Sequence, residues 1–302
     1  MMDFAWLWIF ATIFAAAAQA GRNAVQRGLT QTLGTLGATQ VRFIYGFPFA
    51  LLFLAISRLI ADVPFPSING SFLAYVAAGA VVQIAATALM LAAMRERAFV
   101  VVTAWTKTEP VQVAVFGFVI LSDPFTPFSL FAVLVATLGV ILMSVRSGTA
   151  REARSAGWRP TVLGLVSGAC FALSAVSFRG AILELQGGTA LLNASWTLAW
   201  SLGMQVIMLA LWMVLFQRGL LQRCLAAWRV SIWGGLLGAA ASQGWFLGFA
   251  LTSAVNVRTL GLVEVLFAQV LSYKVFAQRA STREWTGIVL ILVGVTMLLW
   301  MA

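Results

Sequence analysis

The chain has 302 residues, of which 62% are hydrophobic and 9% are charged, and its formal net charge is +10. Soluble domains carry about 25% charged residues, so an apolar excess spread over the whole length indicates a polytopic membrane protein. The absence of histidine excludes histidine metal sites and histidine proton relays, and the two cysteines, Cys170 and Cys224, fit no metal or disulfide pattern. We therefore expect no metal and no other cofactor.

Apolar runs follow one another along the chain, and about 20 apolar residues are enough to cross a bilayer. The first run is predicted to be a retained span and not a signal peptide, because only Asp3 precedes it and no basic region does. The pattern predicts ten membrane-spanning helices, at 4–25, 34–57, 71–94, 98–121, 126–146, 161–183, 190–216, 230–251, 255–277 and 284–301.

Charged residues sort the loops between these spans into two groups. Most arginines lie in every second loop, while the other loops carry mainly acidic residues. Basic loops stay in the cytoplasm, and ten spans return the chain to the side on which it began. The pattern predicts a protein of the bacterial inner membrane with both termini in the periplasm. It also accounts for the basic excess without a nucleic-acid partner.

The longest polar link, 147–160, divides the chain into a first set of five spans, 1–146, and a second set, 161–302. An odd number of spans in each set gives the two sets opposite orientations, as in transporters built from inverted repeats. The predicted fold is therefore an all-α polytopic membrane protein with ten transmembrane helices, arranged as two inverted five-helix repeats around a central cavity.

The fourth span contains the least membrane-compatible stretch of the chain, with Lys107 and Glu109 close to the bilayer midplane. A charge there costs about 2.5–3.5 kcal/mol on insertion scales. Pro110 donates no hydrogen bond to the carbonyl of Thr106, so a kinked helix is predicted at this point. A shift of 155 residues aligns the two halves and places Glu109 on Glu264, which predicts a polar site at the midplane.

Several short motifs in this layout resemble the drug/metabolite transporter superfamily with paired EamA-type repeats. Val41-Arg42-Phe43 opens the second span, Glu109-Pro110 stands at the family's mid-helix proline, and Asp123 stands at its acidic position after the fourth span. The glycine of each half's last span is matched by Gly139 and Gly294.

The second half departs from this pattern, because Val265 replaces the proline and Gln278 replaces the acidic residue. Within the superfamily, the whole chain most resembles the YddG-like amino-acid exporters. The resemblance implies export of amino acids, with aromatic and other neutral ones favoured, by alternating access. A monomer is sufficient for this activity, and the sequence leaves the oligomeric state open.

A zwitterionic amino acid requires cations or donors for its carboxylate, acceptors for its ammonium and apolar walls for its side chain. The chain offers candidates for each requirement, and the backbone carbonyl of Thr106 is a further acceptor. The candidate cavity residues are Tyr75, Gln83, Trp105, Lys107, Glu109, Trp196, Trp200, Gln243, Trp245 and Glu264, with Arg22, Asn23 and Arg42 as further possibilities.

Each candidate also has a structural interpretation. Lys107 and Glu109 do not share a helix face, so either can form a structural ion pair with another helix. Glu264 can pair with Arg258, and Arg22 can serve as a topological anchor. Gln83 and Gln243 can bridge helices. Tryptophans are common at the two membrane interfaces, and we interpret Trp6, Trp8, Trp285 and Trp300 in this way. Glycines four residues apart, such as Gly234/Gly238 and Gly244/Gly248, favour close helix packing.

Three classes of function remain to be compared. An amino-acid exporter agrees best with the inverted halves, the aromatic residues and the mixed charges. The alternative is efflux of lipophilic cations or another metabolite by the same superfamily, which favours an unpaired carboxylate among aromatic rings. An enzyme is not predicted, because the sequence has no histidine, no serine nucleophile in a recognisable setting, no paired-aspartate motif and no phosphate-binding glycine loop. Proton exchange through a glutamate and transport down a gradient both remain open.

Overall fold

The computed structural model describes residues 6–96, 102, 105–124, 126–144, 158–267, 269–270 and 282–300. Most of the predicted linker 147–160 lies outside these residues, as do Asp3 and Gln278. Among the described residues the chain is almost entirely helical, with an isolated bridge between Ser67 and Gln186. The helices are α1 (Leu7–Ala61), α2 (Gly70–Glu96), α3 (Glu109–Leu121), α4 (Pro127–Ser144), α5 (Arg159–Glu184), α6 (Ala190–Phe216), α7 (Arg218–Ala226), α8 (Trp228–Leu251), α9 (Ala254–Leu260) and α10 (Thr282–Leu299).

The predicted spans 4–25 and 34–57 both lie in α1, and the loop expected between them is helical. The helix breaks only at Gly34, whose φ of 66° and ψ of −178° suit glycine far better than any other residue. Leu29 and Leu33 lie one turn apart before this break and are buried in a cluster with Cys224. Their burial favours a continued helix where the polar sequence alone predicts a loop.

The number of membrane spans is supported in part. Five helices are long and apolar enough to cross a membrane, and the bent pair α7 and α8 would make a sixth if it counts as one span. These helices are Leu36–Ala61, Gly70–Met90, Thr161–Glu184, Ala190–Phe216 and Thr282–Leu299, and the shorter apolar ones are Glu109–Leu121 and Pro127–Met143. The chain is therefore an all-helical membrane protein over the described residues, while ten spans in two inverted repeats stays a prediction.

The chain forms two compact units, and each unit takes residues from both predicted repeats. The first unit comprises Met1–Ile84 and Ser177–Thr252, and the second comprises Ala85–Val176 and Ser253–Ala302. The predicted division of the sequence into 1–146, 147–160 and 161–302 stays a prediction.

In the first unit, small residues bring the backbones of α1 and α8 close together. A Cβ atom on Gly244 would lie 2.6 Å from the carbonyl oxygen of Ala11 and 2.8 Å from the Cβ of Ala15. A Cβ atom on Gly235 would collide with the backbone of Tyr45. Helices in membranes associate through such close backbone approaches, so Gly244 performs the packing role that its spacing predicts.

The first unit also contains a cation at the end of a helix. The guanidinium of Arg179 on α5 donates a hydrogen bond of 2.7 Å to the carbonyl of Phe249 and another to the carbonyl of Thr252. These carbonyls belong to the last turn of α8, where orphan acceptors and the negative end of the helix dipole favour a cation. Arg179 thereby fixes the point at which α8 ends.

In the second unit, α4 and α10 pack through contacts that are reciprocal under the shift of 155 residues. A Cβ atom on Gly139 would lie 2.6 Å from the carbonyl oxygen of Gly287, and one on Gly294 would lie 2.7 Å from that of Ala132. The shift carries Gly139 onto Gly294 and Ala132 onto Gly287. One contact therefore maps onto the other, which is the self-complementary pattern of a two-fold relation between two helices.

Candidate functional site

The charged stretch of the predicted fourth span is a break between helical segments. Trp105 and Thr106 are helical, Lys107 and Thr108 form a turn, and α3 begins at Glu109. Pro110 lies in the first turn of α3, where its missing N–H costs nothing and its fixed φ suits the helix. The predicted kink at Pro110 within a continuous helix is therefore wrong, because the proline lies at the start of α3.

The second glutamate lies at a matching break. Helix α9 ends at Leu260, the residues Gly261–Val263 form a 3₁₀ turn, and Glu264 follows at the point where α-helical residues resume. The turn that precedes Glu109 occupies the corresponding positions under the shift of 155 residues. Both glutamates therefore follow an interruption of a helix in the interior of an apolar run.

Two ion pairs connect the segments that contain these breaks, and each pair joins one segment to the other. The ammonium of Lys107 donates a 3.0 Å hydrogen bond to Glu264 Oε2, and the two side chains are 19% and 9% exposed. Arg258 Nε lies 3.2 Å from Glu109 Oε1, and these side chains are 14% and 12% exposed. The four ions carry no net charge, so the second unit contains a neutral, mostly buried double ion pair.

The pairing differs from the sequence-based alternative in which Glu264 pairs with Arg258. Residues six apart on a helix do not lie on neighbouring positions, which are three or four apart, so Arg258 and Glu264 are poorly placed to meet. Lys107 and Glu109 are two apart and also fail this condition. Each cation therefore contacts the carboxylate of the other segment, and both glutamates pair with a different helix.

One carboxylate oxygen of the double ion pair accepts no hydrogen bond. Glu109 Oε1 is buried and in ionic contact with Arg258, yet it has no hydrogen-bond partner among the described residues. Buried polar atoms are normally hydrogen-bonded, so this pair retains capacity for another polar group.

Close packing against α5 holds the start of α3 in place. A Cβ atom on Gly164 would lie 2.8 Å from the Cβ of Trp105, and one on Gly168 would lie 3.1 Å from the carbonyl oxygen of Thr106. The Thr106 carbonyl, predicted as a free acceptor, therefore faces α5. Thr108 donates a 2.7 Å hydrogen bond to the carbonyl of Trp105.

An open groove of about 530 Å³, whose accessible surface is almost wholly apolar, adjoins this turn within the second unit. Its polar lining includes Gln112, whose side chain donates a 3.0 Å hydrogen bond to Thr108 Oγ1. Thr137 Oγ1 is buried in the same wall and has no hydrogen-bond partner among the described residues. The lining residues are Thr108, Val111, Gln112, Leu134, Thr137, Leu138, Ile141 and Leu165.

In the first unit, three of the predicted aromatic residues lie together. Tyr75, Trp196 and Trp200 pack against the same buried cluster, and the rings of Trp196 and Trp200 meet edge to face at 6.2 Å. Phe65 stacks on Trp196 at 4.8 Å, a contact that the sequence did not suggest. The indole N–H of Trp196 is buried without a hydrogen-bond partner in the described part of the chain.

The predicted glutamines of the first unit join polar networks. Gln205 Nε2 donates to Gln83 Oε1, which is the helix-bridging role proposed for Gln83. Gln243 Nε2 donates to Ser195 Oγ at 2.9 Å, and Ser195 lies 2.7 Å from Ser57 Oγ. Burial of these amides follows the rule that polar groups inside a membrane protein find partners on other helices.

The remaining predicted residues also have defined neighbours in the first unit. Arg22 is 8% exposed and donates hydrogen bonds of 3.2 and 2.7 Å to Asn23 Oδ1. A Cβ atom on Gly238 would lie 3.4 Å from both Arg22 and Arg42, so α8 passes close to these two arginines. Trp245 is buried and donates a 3.1 Å hydrogen bond to Gln19 Oε1.

The structure therefore brings Lys107, Glu109 and Glu264 together, and Trp105 precedes them on the same segment. Sequence reasoning undervalued Arg258, which completes the double ion pair. Its position beside Asn256 and Thr259 in an apolar run was the available signal.

Accessibility separates the predicted interfacial tryptophans. Trp6, Trp285 and Trp300 are exposed, as a belt position requires. Trp8 is only 4% exposed, so its assignment to the belt is wrong. It belongs to the buried residues of the first helix.

Comparison with known proteins agrees with this architecture. Residues 6–145 match the EamA-like transporter family. This match covers just under half of the chain and supports the predicted superfamily and a membrane transporter. No curated protein matches the chain.

The fold is also shared with solved structures, of which 28 chains match. One of them, titled "Crystal structure of protein", is 13% identical to this chain and has a TM-score of 0.71. The superposition covers 100% of this chain and 98% of that one. At this identity the likeness concerns the fold alone.

Proposed function

We propose that the whole chain is an EamA-type membrane transporter that exports neutral amino acids, with aromatic ones favoured, from the cytoplasm by alternating access. The observation that carries the proposal is the double ion pair at two broken helices in the second unit. Interrupted helices at membrane depth are tolerated where they line a cavity or are buried in protein, and transporters use them for substrate sites.

The charges suit a zwitterion. An amino acid carries one carboxylate and one ammonium, and the site holds two cations and two carboxylates with no net charge. The carboxylate of a bound amino acid would replace Glu109 beside Arg258, or Glu264 beside Lys107. The ammonium of the amino acid would then bind the glutamate that has been displaced. Each charge of the protein keeps one opposite charge in contact during this exchange, which limits the cost of opening a buried pair.

The Glu109–Arg258 pair is the better entry point for the substrate. Glu109 Oε1 is buried and accepts no hydrogen bond among the described residues, whereas Glu264 Oε2 accepts one from Lys107. Trp105 lies on the segment that leads to the break and offers an aromatic face for the substrate's side chain or ammonium, a contact of about 0.5–2 kcal/mol.

Efflux of lipophilic cations is the weaker alternative. A monovalent organic cation is held best by a carboxylate that lacks a cationic partner. Both site glutamates contact a cation, Lys107 or Arg258, so a cationic drug would have to displace a buried positive charge. A zwitterion replaces that charge and meets no such penalty.

The test uses purified protein in liposomes loaded with a mixture of labelled amino acids, followed by measurement of the loss of each one. We expect faster efflux of phenylalanine, tryptophan and other neutral amino acids than from protein-free liposomes, and little efflux of arginine or glutamate. A parallel set loaded with a cationic dye should show no added efflux.

Selective dye efflux without amino-acid efflux would favour the lipophilic-cation alternative. If folded protein gave neither amino-acid efflux nor dye efflux, amino acids would be rejected as substrates. The thermal unfolding transition verifies that the protein is folded.

A further inference from the structure

Helix α7 lies almost perpendicular to α8, in the first unit. The two helices are bent by 86° at Ala227, and α7 has nine residues. At about 1.5 Å per residue, nine residues are far too short to span a bilayer. If α8 crosses the membrane, α7 therefore lies along the membrane surface.

One face of α7 is fixed to the protein. Leu220 and Cys224 lie one turn apart and are buried in a cluster with Leu33 and Met213. The hydroxyl of Tyr45 donates a 3.0 Å hydrogen bond to the carbonyl of Leu225 near the end of α7. These contacts hold α7 in one rotation, so its opposite face is presented in a defined orientation.

The exposed side of α7 and the start of α8 are basic. Arg218, Arg223 and Arg229 are all exposed. Arg218 contacts the carbonyl of Val214, and Arg229 lies over the ring of Trp228 at 5.5 Å. Within the described part of the chain, none of the three arginines forms an ion pair with a carboxylate.

Exposed apolar side chains accompany these arginines. Leu225 and Trp228 are each 52% exposed, and Trp233, further along α8, is 62% exposed. Tryptophans gather at the level of the lipid headgroups, and interfacial helices combine basic residues with apolar ones that enter the acyl boundary. The arrangement places arginines beside groups that suit the membrane interface.

We propose that α7 and the first turn of α8 form a binding surface for anionic phospholipid headgroups. Arg218, Arg223 and Arg229 contact the phosphates, while Leu225 and Trp228 enter the acyl boundary. Charge complementarity selects the lipid, because three arginines attract a headgroup with a net negative charge and the sequence of α7 and the first turn of α8 contains no carboxylate. The proposal is independent of the substrate of transport.

The test compares lipid binding by the purified full-length protein in a neutral detergent. Native mass spectrometry counts bound phosphatidylglycerol and phosphatidylcholine at equal concentrations. We expect the wild-type protein to retain phosphatidylglycerol preferentially. The variant Arg218→Gln/Arg223→Gln/Arg229→Gln should weaken that binding by at least tenfold, since each basic residue near an anionic surface contributes about fivefold.

Two controls separate lipid binding from other effects. The variant Arg218→Lys/Arg223→Lys/Arg229→Lys keeps the charges and should retain binding within about threefold, and the thermal unfolding temperature verifies that both variants fold. Free glycerol phosphate at the lipid concentration should not displace the lipid. Equal retention of both lipids by wild type, unchanged binding in the glutamine variant, or displacement by glycerol phosphate would each overturn the proposal.

Discussion

The ammonium of Lys107 lies 3.0 Å from a carboxylate oxygen of Glu264, although 157 residues separate them in the chain. Removing one partner of a buried pair leaves the other charge without compensation, which costs about 3–5 kcal/mol, whereas replacing both with apolar residues is often neutral. Stability and transport therefore respond differently to single and double substitutions.

The first prediction uses this difference. Lys107→Met should destabilise the protein by about 3 kcal/mol, near the lower end of the range because the lysine is 19% exposed. Lys107→Met/Glu264→Met should recover most of that loss and still transport at least tenfold more slowly. Thermal unfolding in detergent and efflux from liposomes measure the two effects. A stable double variant with full transport would make the pair purely structural.

The second prediction concerns α1 and α8. Gly244→Ala should lower the unfolding temperature by several degrees, because its Cβ atom would lie 2.6 Å from a backbone oxygen of Ala11. Gly234→Ala is the matched control on the same helix, where the nearest atom, on Val25, is 3.5 Å away. The control should be neutral or slightly stabilising, since alanine favours helix over glycine by about 1 kcal/mol. Equal tolerance of both substitutions would contradict the close approach of α1 and α8.

The third prediction concerns the reciprocal contacts of α4 and α10. Gly139→Ala and Gly294→Ala should each destabilise the protein, because both Cβ atoms would meet backbone atoms at less than 3 Å. Their effects should combine less than additively, since either substitution already separates the same two helices. A double variant whose loss in stability equals the sum of the single losses would indicate two independent contacts.

The fourth prediction tests Arg179 as a helix cap. Arg179→Gln should destabilise the protein by about 1.5–3 kcal/mol, the usual contribution of a hydrogen bond to a charged group. The control is Arg159→Gln, which removes an exposed arginine at the start of the same helix and should change stability little. Both are compared by thermal unfolding in detergent, and equal effects would argue against a special role for Arg179.

The sequence was sufficient to predict the membrane class, because this class depends on composition and on long apolar runs. The resemblance to the superfamily was carried by short motifs such as Glu109-Pro110. It failed at the junction of the first two spans, where polar residues suggested a loop. Burial of Leu29 and Leu33 against α7 keeps this segment helical up to Gly34. That contact is with residues almost 200 positions away, and local propensity carries no information about it.

The site shows the same limit. The shift of 155 residues, which places Glu109 on Glu264, was enough to select the two carboxylates from the sequence. The partners were harder to predict, because the choice among Lys107, Arg258 and other cations depends on how two segments pack. The role of Pro110 depended on whether it begins or interrupts a helix. The break at Thr108 places the proline at the beginning of α3.

The most direct test of the account is the efflux of labelled phenylalanine from liposomes by Glu109→Gln, Arg258→Gln and the control Glu184→Gln. Glu184 is a partly exposed carboxylate at the end of α5 that accepts a 3.1 Å hydrogen bond from Asn69, so its substitution makes the same chemical change away from the double ion pair. We predict at least a tenfold loss of initial rate for Glu109→Gln and Arg258→Gln, and a change of less than twofold for Glu184→Gln. Wild-type efflux in folded Glu109→Gln and Arg258→Gln would contradict a role for the double ion pair in transport.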